Sequence, residues 1–243
     1  MTGLMIRMKC ITNLHAGNGD VNYNIVDIEV ERDPILQYPT INSSGVKGAL
    51  RKYFEKAKPD LVKPLFGSDE TGNTTPGKLK ILAAEMIGIP VRVSKGNKPY
   101  ALVTTQEALD RLQTLCALPG VNVTSPEADV DGVELEGFQP DRMVTLNFGT
   151  PIELYRIGHE AMKHLSLPVL SRNCLEDGRS TNLWYEEVVP HESVFSFAVL
   201  ADDSDRKYLN AFAETVRDQV VQFGGNASIG YGLCRLTVME GTR

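Results

Sequence analysis

Asn42-Ser43-Ser44-Gly45-Val46-Lys47-Gly48-Ala49-Leu50-Arg51 is the stretch whose reading decides how the rest of the chain is arranged. Three residues able to cap a helix, Asn42, Ser43 and Ser44, stand in a row. Apolar Val46, Ala49, Leu50, Tyr53 and Ala57 then recur at helical spacing and supply a buried stripe. Lys47 and Arg51, at i and i+4, share one face. Gly45 and Gly48 would let another backbone approach the first turn, although glycine weakens a helix by roughly 1 kcal/mol against alanine. Free N–H groups, the positive end of the helix dipole and two cations describe an anion site. The competing reading is an ordinary capped helix with solvated basic residues; the glycine pair favours the anion site.

Upstream, Leu4, Ile6, Met8 and Cys10 alternate with Met5, Arg7, Lys9 and Ile11, as in a half-buried strand. It ends in a loop, Leu14-His15-Ala16-Gly17-Asn18-Gly19-Asp20. Asn24 to Val30 reads as a short extended segment holding Asp27, and Asp33-Pro34 and Tyr38-Pro39 keep the chain extended up to the helix. Downstream come a polar loop over Ser68–Gly77, one or two strands over Lys78–Val93, and a helix over Thr105–Leu115. An acidic, turn-rich connection covers 119–142, followed by a strand over Met143–Phe148 and a short helix over His159–Leu165. Pro168–Val188 reads as a hairpin turning at Asp177-Gly178, and Ser193–Leu200 as a strand. The clearest helix runs over Asp205–Phe223, before a glycine loop, Gly224 to Gly232, and a last strand burying Cys234, Leu236 and Val238. This order predicts an α+β fold: an antiparallel sheet covered on one face by two helices, with the other face and its loops open to a ligand.

The composition sets limits. A hydrophobic fraction of 42% supports a core, and no run approaches the ~20 apolar residues of a membrane helix. The N-terminus alternates like a strand and has no signal-peptide pattern. Cys10, Cys116, Cys174 and Cys234 stand singly, which argues against structural zinc and disulfides and suits a reducing cytosol. The net charge is −6, but its distribution is uneven. Lys47, Arg51, Lys52, Lys56, Lys58 and Lys63 outnumber Glu55 and Asp60, while Glu127, Asp129, Asp131, Glu134, Glu136 and Asp141 cluster without a cation among them. A basic face is compatible with a phosphate backbone.

Several motifs fail. Gly224–Gly232 follows a helix and precedes a strand, the reverse of a dinucleotide fingerprint, and no P-loop occurs. Its backbone amides could still approach phosphates, or it is only a tight connection. His159 and His164 are i and i+5 and diverge around a helix, so they cannot share a zinc. Asp27 among Ile25, Val26 and Ile28 could serve as a base, a metal ligand or a structural carboxylate. His15 could donate a proton or pack in the core. Trp184 and Tyr185 could stack on bases or on neighbours.

Taken together, the His15–Gly19 loop, Ile25-Val26-Asp27, Glu31-Arg32-Asp33-Pro34, Tyr38 to Arg51 and Gly224 to Gly232 resemble the RAMP (repeat-associated mysterious protein) superfamily of CRISPR systems. Ile89-Pro90-Val91-Arg92-Val93-Ser94-Lys95-Gly96 and Leu183-Trp184-Tyr185-Glu186-Glu187 look like the backbone subunit of the type III-B (Cmr-type) effector complex. The resemblance implies one RAMP domain over 1–243 with a ferredoxin-like (RRM-like) palm, a thumb hairpin projecting at 168–188, and 119–142 as an insertion. It implies copies stacked in a helical filament on a guide RNA, beside other effector subunits in the cytoplasm, with no membrane partner. Complementary target RNA would be cut at regular intervals in a reaction dependent on a divalent metal, Mg or Mn. The family's catalytic aspartate falls on Asp27, also a metal-ligand candidate, and its loop histidine on His15. RNA binding falls to Ser43, Ser44, Gly45, Lys47, Arg51, Trp184, Gly224, Gly225, Asn226 and Ser228. Relatives commonly carry an acidic residue in the last glycine loop, where this chain has Asn226-Ala227, and a Pro-Gly-Ser-Ser pattern, where this chain has Ile41-Asn42-Ser43-Ser44. Two other outcomes stay open: a non-catalytic RNA-binding filament subunit, and a stand-alone nuclease that uses His15 on guide precursors.

Overall fold

The computed structural model describes residues 1–19, 26–68, 74–177 and 179–241. Residues 24 and 25 of the expected extended segment, 69–73 of the polar loop and Gly178 of the hairpin turn lie outside these. The chain opens with β1 (Thr2–Cys10), then α1 (Ser43–Ala57) and α2 (Pro59–Phe66). β2 (Ala84–Lys95), β3 (Tyr100–Thr104), α3 (Gln106–Ala117), β4 (Arg142–Leu146), β5 (Ile152–Arg156) and α4 (His159–Lys163) follow. Next come β6 (Val169–Glu176), β7 (Arg179–Glu187), β8 (Val194–Ala201), α5 (Arg206–Val216), β9 (Val220–Gln222) and β10 (Leu233–Glu240). The main sheet runs β9-β10-β1-β8-β2-β3-β5-β4. Its neighbours are antiparallel except β3 and β5, which pair in parallel. β6 and β7 form a separate two-stranded ladder in which Glu176 faces Arg179. The architecture is α+β with a mostly antiparallel sheet.

β1 and β8 are sorted by strand parity. Leu4, Ile6, Met8 and Cys10 join Phe195, Phe197 and Val199 against α1 and α5, where Phe54 stacks on Phe212 at 5.6 Å. Burying each such side chain contributes about 1.5–3 kcal/mol. Met5, Val194, Ala198 and Leu200 point the other way, onto Leu109, Leu112 and Leu115 of α3. The sheet face expected to lie open is therefore covered. The apolar stripe of α3 is wide enough to need a partner, and Thr105, whose hydroxyl accepts from the Ala108 N–H at 3.2 Å, starts that helix against the sheet.

The structure departs from the sequence reading at three further places. The helix expected over Asp205–Phe223 stops at Val216, Asp218 takes a left-handed φ of 57°, and the remaining apolar residues form the edge strand β9. A short apolar run fits either period, and pairing with β10 decided it. The stretch holding Asp27 is no regular strand: it makes isolated bridges, Gly17 with Val30 and Ile28 with Glu186. β5 was not anticipated at all. The acidic block is largely neutralised by cations outside it. Arg156 meets Glu127 and Asp141, Arg142 meets Asp129, and Lys95 meets Glu134.

Candidate functional site

Two adjoining regions carry the site. The first is a groove of about 480 Å³ between the loop at Gly17–Gly19, the first turns of α1 and the loop at Gly224 and Gly225. Asn42 occupies the N-cap position of α1 without a side-chain cap bond, and Ser43, Ser44 and Gly45 are exposed, so amides of the first turn face the groove. A Cβ at Gly48 would meet nothing within 4 Å. No contact in the fold requires that glycine, and its cost to the helix keeps the groove wall bare. Gly224 is different: at φ +69° its Cβ would lie 2.2 Å from the His15 carbonyl oxygen. The Gly225 N–H donates to that same oxygen at 2.9 Å, so the two loops that wall the groove are locked together.

The cations sort differently from the expected i, i+4 pair. Arg51 turns to α2, donating to the Gly67 carbonyl at 3.1 Å and lying 3.5 Å from Glu55. Lys47 is exposed outside the groove. The groove cation is Lys52, four residues beyond Gly48 and seven beyond Gly45 on the same helical face. That spacing was legible in the sequence and was passed over. Ser228 is exposed in the turn of the last loop.

The second region is the root of the β6–β7 hairpin. The Tyr185 N–H donates to Asp27 Oδ2 at 2.7 Å, and the Tyr185 carbonyl accepts from the N–H groups of Asp27 and Ile28. His15 is buried, and its Nδ1–H donates to the Glu187 carbonyl at 2.7 Å. A carbonyl can only accept, so Nε2 is the ring nitrogen left to face Glu186 Oε1, 3.5 Å away. That oxygen also accepts from Asn226 Nδ2, at 2.5 Å. Glu187 accepts from the Val30 N–H and from Arg32. Trp184 stands beside Arg172, whose guanidinium carbon lies 6.0 Å from the indole and 5.8 Å from the Tyr231 ring. Asp27 and His15 are thus seated on neighbouring residues of one short segment, Asp27 on Tyr185 and His15 on Glu186 and Glu187. Glu186, Glu187 and Arg172 had not been singled out as site residues.

Among the described residues no three metal-ligating side chains converge. His159 meets the Tyr38 hydroxyl through Nδ1 at 2.6 Å, away from exposed His164. Burial drives the Tyr38 hydroxyl up to about 12, partly offset by its bond to Thr105.

The RAMP superfamily pattern matches residues 7–235. The CRISPR system Cmr endoribonuclease Cmr4 of Pyrococcus furiosus is 26% identical over 290 residues, covering 100% of this chain and 97% of the relative. The CRISPR system CMR subunit Cmr4 of Saccharolobus solfataricus is 33% identical over 115 residues, 44% of this chain and 36% of the relative. In the cryo-EM structure of the type III-B Cmr-beta complex bound to cognate target RNA, one chain superposes with a TM-score of 0.78 at 22% identity, covering 98% of this chain and 97% of that one. Oligomeric Cmr4 from P. furiosus gives 0.67 at 19% identity, with full coverage of both chains. These structures share the fold.

Proposed function

The chain belongs to the RAMP superfamily, and from that premise we propose that it is a repeating backbone subunit of a type III-B CRISPR effector complex, binding guide RNA and cutting complementary target RNA. The observation that carries this reading is Asp27, whose Oδ2 is held from behind by the Tyr185 N–H at the hairpin root, beside the glycine loop that walls the groove. The palm is ferredoxin-like in this reading, supported by the order β10-β1-β8-β2 with α1 and α5 on one face. The hairpin over 168–188 is its thumb, and 119–142 an insertion in the single domain.

Guide phosphates would lie in the groove, taken up by the first-turn amides of α1, the backbone at Gly224 and Gly225, and Lys52. Lys47 and Ser228 would extend that surface. Copies of the chain would stack along the guide beside other effector subunits, in the cytoplasm. No helix among the described residues is long and apolar enough to cross a membrane. Asp27, with Oδ2 already bonded, keeps Oδ1 to take the proton of a target 2′-hydroxyl. The 2′-oxygen then bonds to the adjacent phosphorus as the bond to the 5′-oxygen breaks, giving a 2′,3′-cyclic phosphate, and the leaving 5′-oxygen takes a proton from solvent. If Oδ1 instead held a magnesium or manganese ion of the type bound by one carboxylate and substrate phosphates, Asp27 would be its ligand in place of acting as the base. Such a metal would supply neutralisation of the phosphate charge. His15, buried and bonded on Nδ1, orients the loop rather than meeting the RNA.

The test is a reconstituted complex carrying Asp27→Asn. Target cleavage should stop while target binding persists. Cutting at the wild-type rate would overturn the assignment, and intact target after incubation of the unaltered complex with divalent metal would favour a non-catalytic filament subunit.

A further inference from the structure

Glu186 is 3% exposed, yet one of its two carboxylate oxygens is poorly provided for. Oε1 accepts from Asn226 and faces His15 Nε2. Among the described residues Oε2 has no hydrogen-bond partner, and Arg172 Nη1 lies 3.8 Å from it. A buried carboxylate with an unsatisfied oxygen is a poor stabiliser, and an apolar or neutral side chain of the same size would serve the fold as well or better. Its partners, however, come from three separate places: the loop after β1, the loop before β10, and the opposite strand of the hairpin. Its own residue neighbours, Tyr185 and Glu187, make the backbone bonds that seat Asp27 and Ile28.

We propose that Glu186 is a positioning residue for target cleavage: its buried carboxylate, bonded by Asn226 and facing Arg172 and His15, fixes β7 at the point where the Tyr185 amide aims the Asp27 carboxylate. The inference rests on the catalytic reading of Asp27. Glu187 supports the same segment from its other side, through Val30 and Arg32, and its carboxylate is fully engaged. Glu186 therefore sets the placement of β7 against the palm, and a small displacement there is transmitted to Asp27. Misplacing a reacting group by 1 Å costs on the order of 100-fold in rate.

The experiment compares wild type, Glu186→Gln, Glu186→Asp and Asp27→Asn in the reconstituted complex under single-turnover conditions. Gln keeps the shape and an acceptor for Asn226 but removes the charge that faces Arg172. Its cleavage rate should fall about 10- to 100-fold, with target affinity within about two-fold and an unchanged melting temperature. Asp keeps the charge on a shorter stem and should cut at an intermediate rate with full affinity, and it decides the matter if the Gln variant does not assemble. Wild-type cleavage by the Gln variant (or by Asp, if Gln does not assemble) overturns the proposal, as does a rate loss that merely tracks lost affinity and melting temperature. An inactive Asp27→Asn beside a fully active Glu186→Gln sinks only this inference. An active Asp27→Asn sinks the catalytic reading itself.

Discussion

The groove beside α1 is walled mainly by glycines and small or neutral polar residues, with Glu31 and Lys52 its charged members, whereas the hairpin root next to it is crowded with Glu186, Glu187, His15, Arg32 and Arg172. The groove leaves its donors open: Gly48 faces empty space and Asn42 makes no cap bond. The root satisfies nearly every polar atom internally and leaves Asp27 half-buried at its edge. Backbone amides suit a ligand that presents the same phosphate at every step and need no sequence. A cross-linked root suits a single carboxylate that must be aimed. In the proposed reading, the difference separates holding from cutting.

The sharpest way to break that separation is at the root. Asp27→Asn should reduce single-turnover cleavage by about 100- to 10,000-fold while filter binding of target is unchanged. Gly224→Ala should damage both regions, because its methyl would meet the His15 carbonyl oxygen in a left-handed backbone. A loss on the order of 3 kcal/mol is expected in urea unfolding. Lys52→Ala should weaken guide RNA binding a few-fold and flatten the plot of log affinity against log salt by about 0.7, whereas Arg51→Ala should mainly cost stability. Gly48→Ala should raise helix stability by roughly 0.5–1 kcal/mol, seen as a higher melting temperature, and narrow the groove. A comparison outside both regions is Asp141, whose carboxyl is held below its usual range by hydrogen bonds from Arg156. Because the folded value lies below the unfolded one, its contribution is present at neutral pH and lost as the pH falls through the acid range. The Asp141 carboxylate is exposed, so Asp141→Asn should cost less than about 1 kcal/mol at pH 7 and still less at pH 3.

Much of the fold was legible. The alternation in β1, the helical stripe of α1, the hairpin flanking Asp177 and the last strand all have strong local patterns. Misses occurred where local pattern was ambiguous. Val220, Val221 and Phe223 fit a helix or a strand, and β5 is short and carries charges. At the site, the spacing of Gly45, Gly48 and Lys52 places them on one helical face, as the i, i+4 spacing does for Lys47 and Arg51, and only the fold distinguishes the two faces. The turn of Arg51 toward the end of α2 is not legible in sequence, since its partner is a backbone carbonyl sixteen residues away.

By itself the sequence determined which segments bury a face, where the chain turns, and that Asp27, His15 and the two glycine loops belong to one family pattern. Those features depend on neighbours within a few positions. Only the tertiary structure decided that α3 covers the second sheet face, that Lys52 owns the groove, and that Glu186 sits buried between His15, Asn226 and Arg172. Each of these depends on contacts between residues far apart along the chain, and their energies are settled by burial and pairing in three dimensions rather than by local spacing.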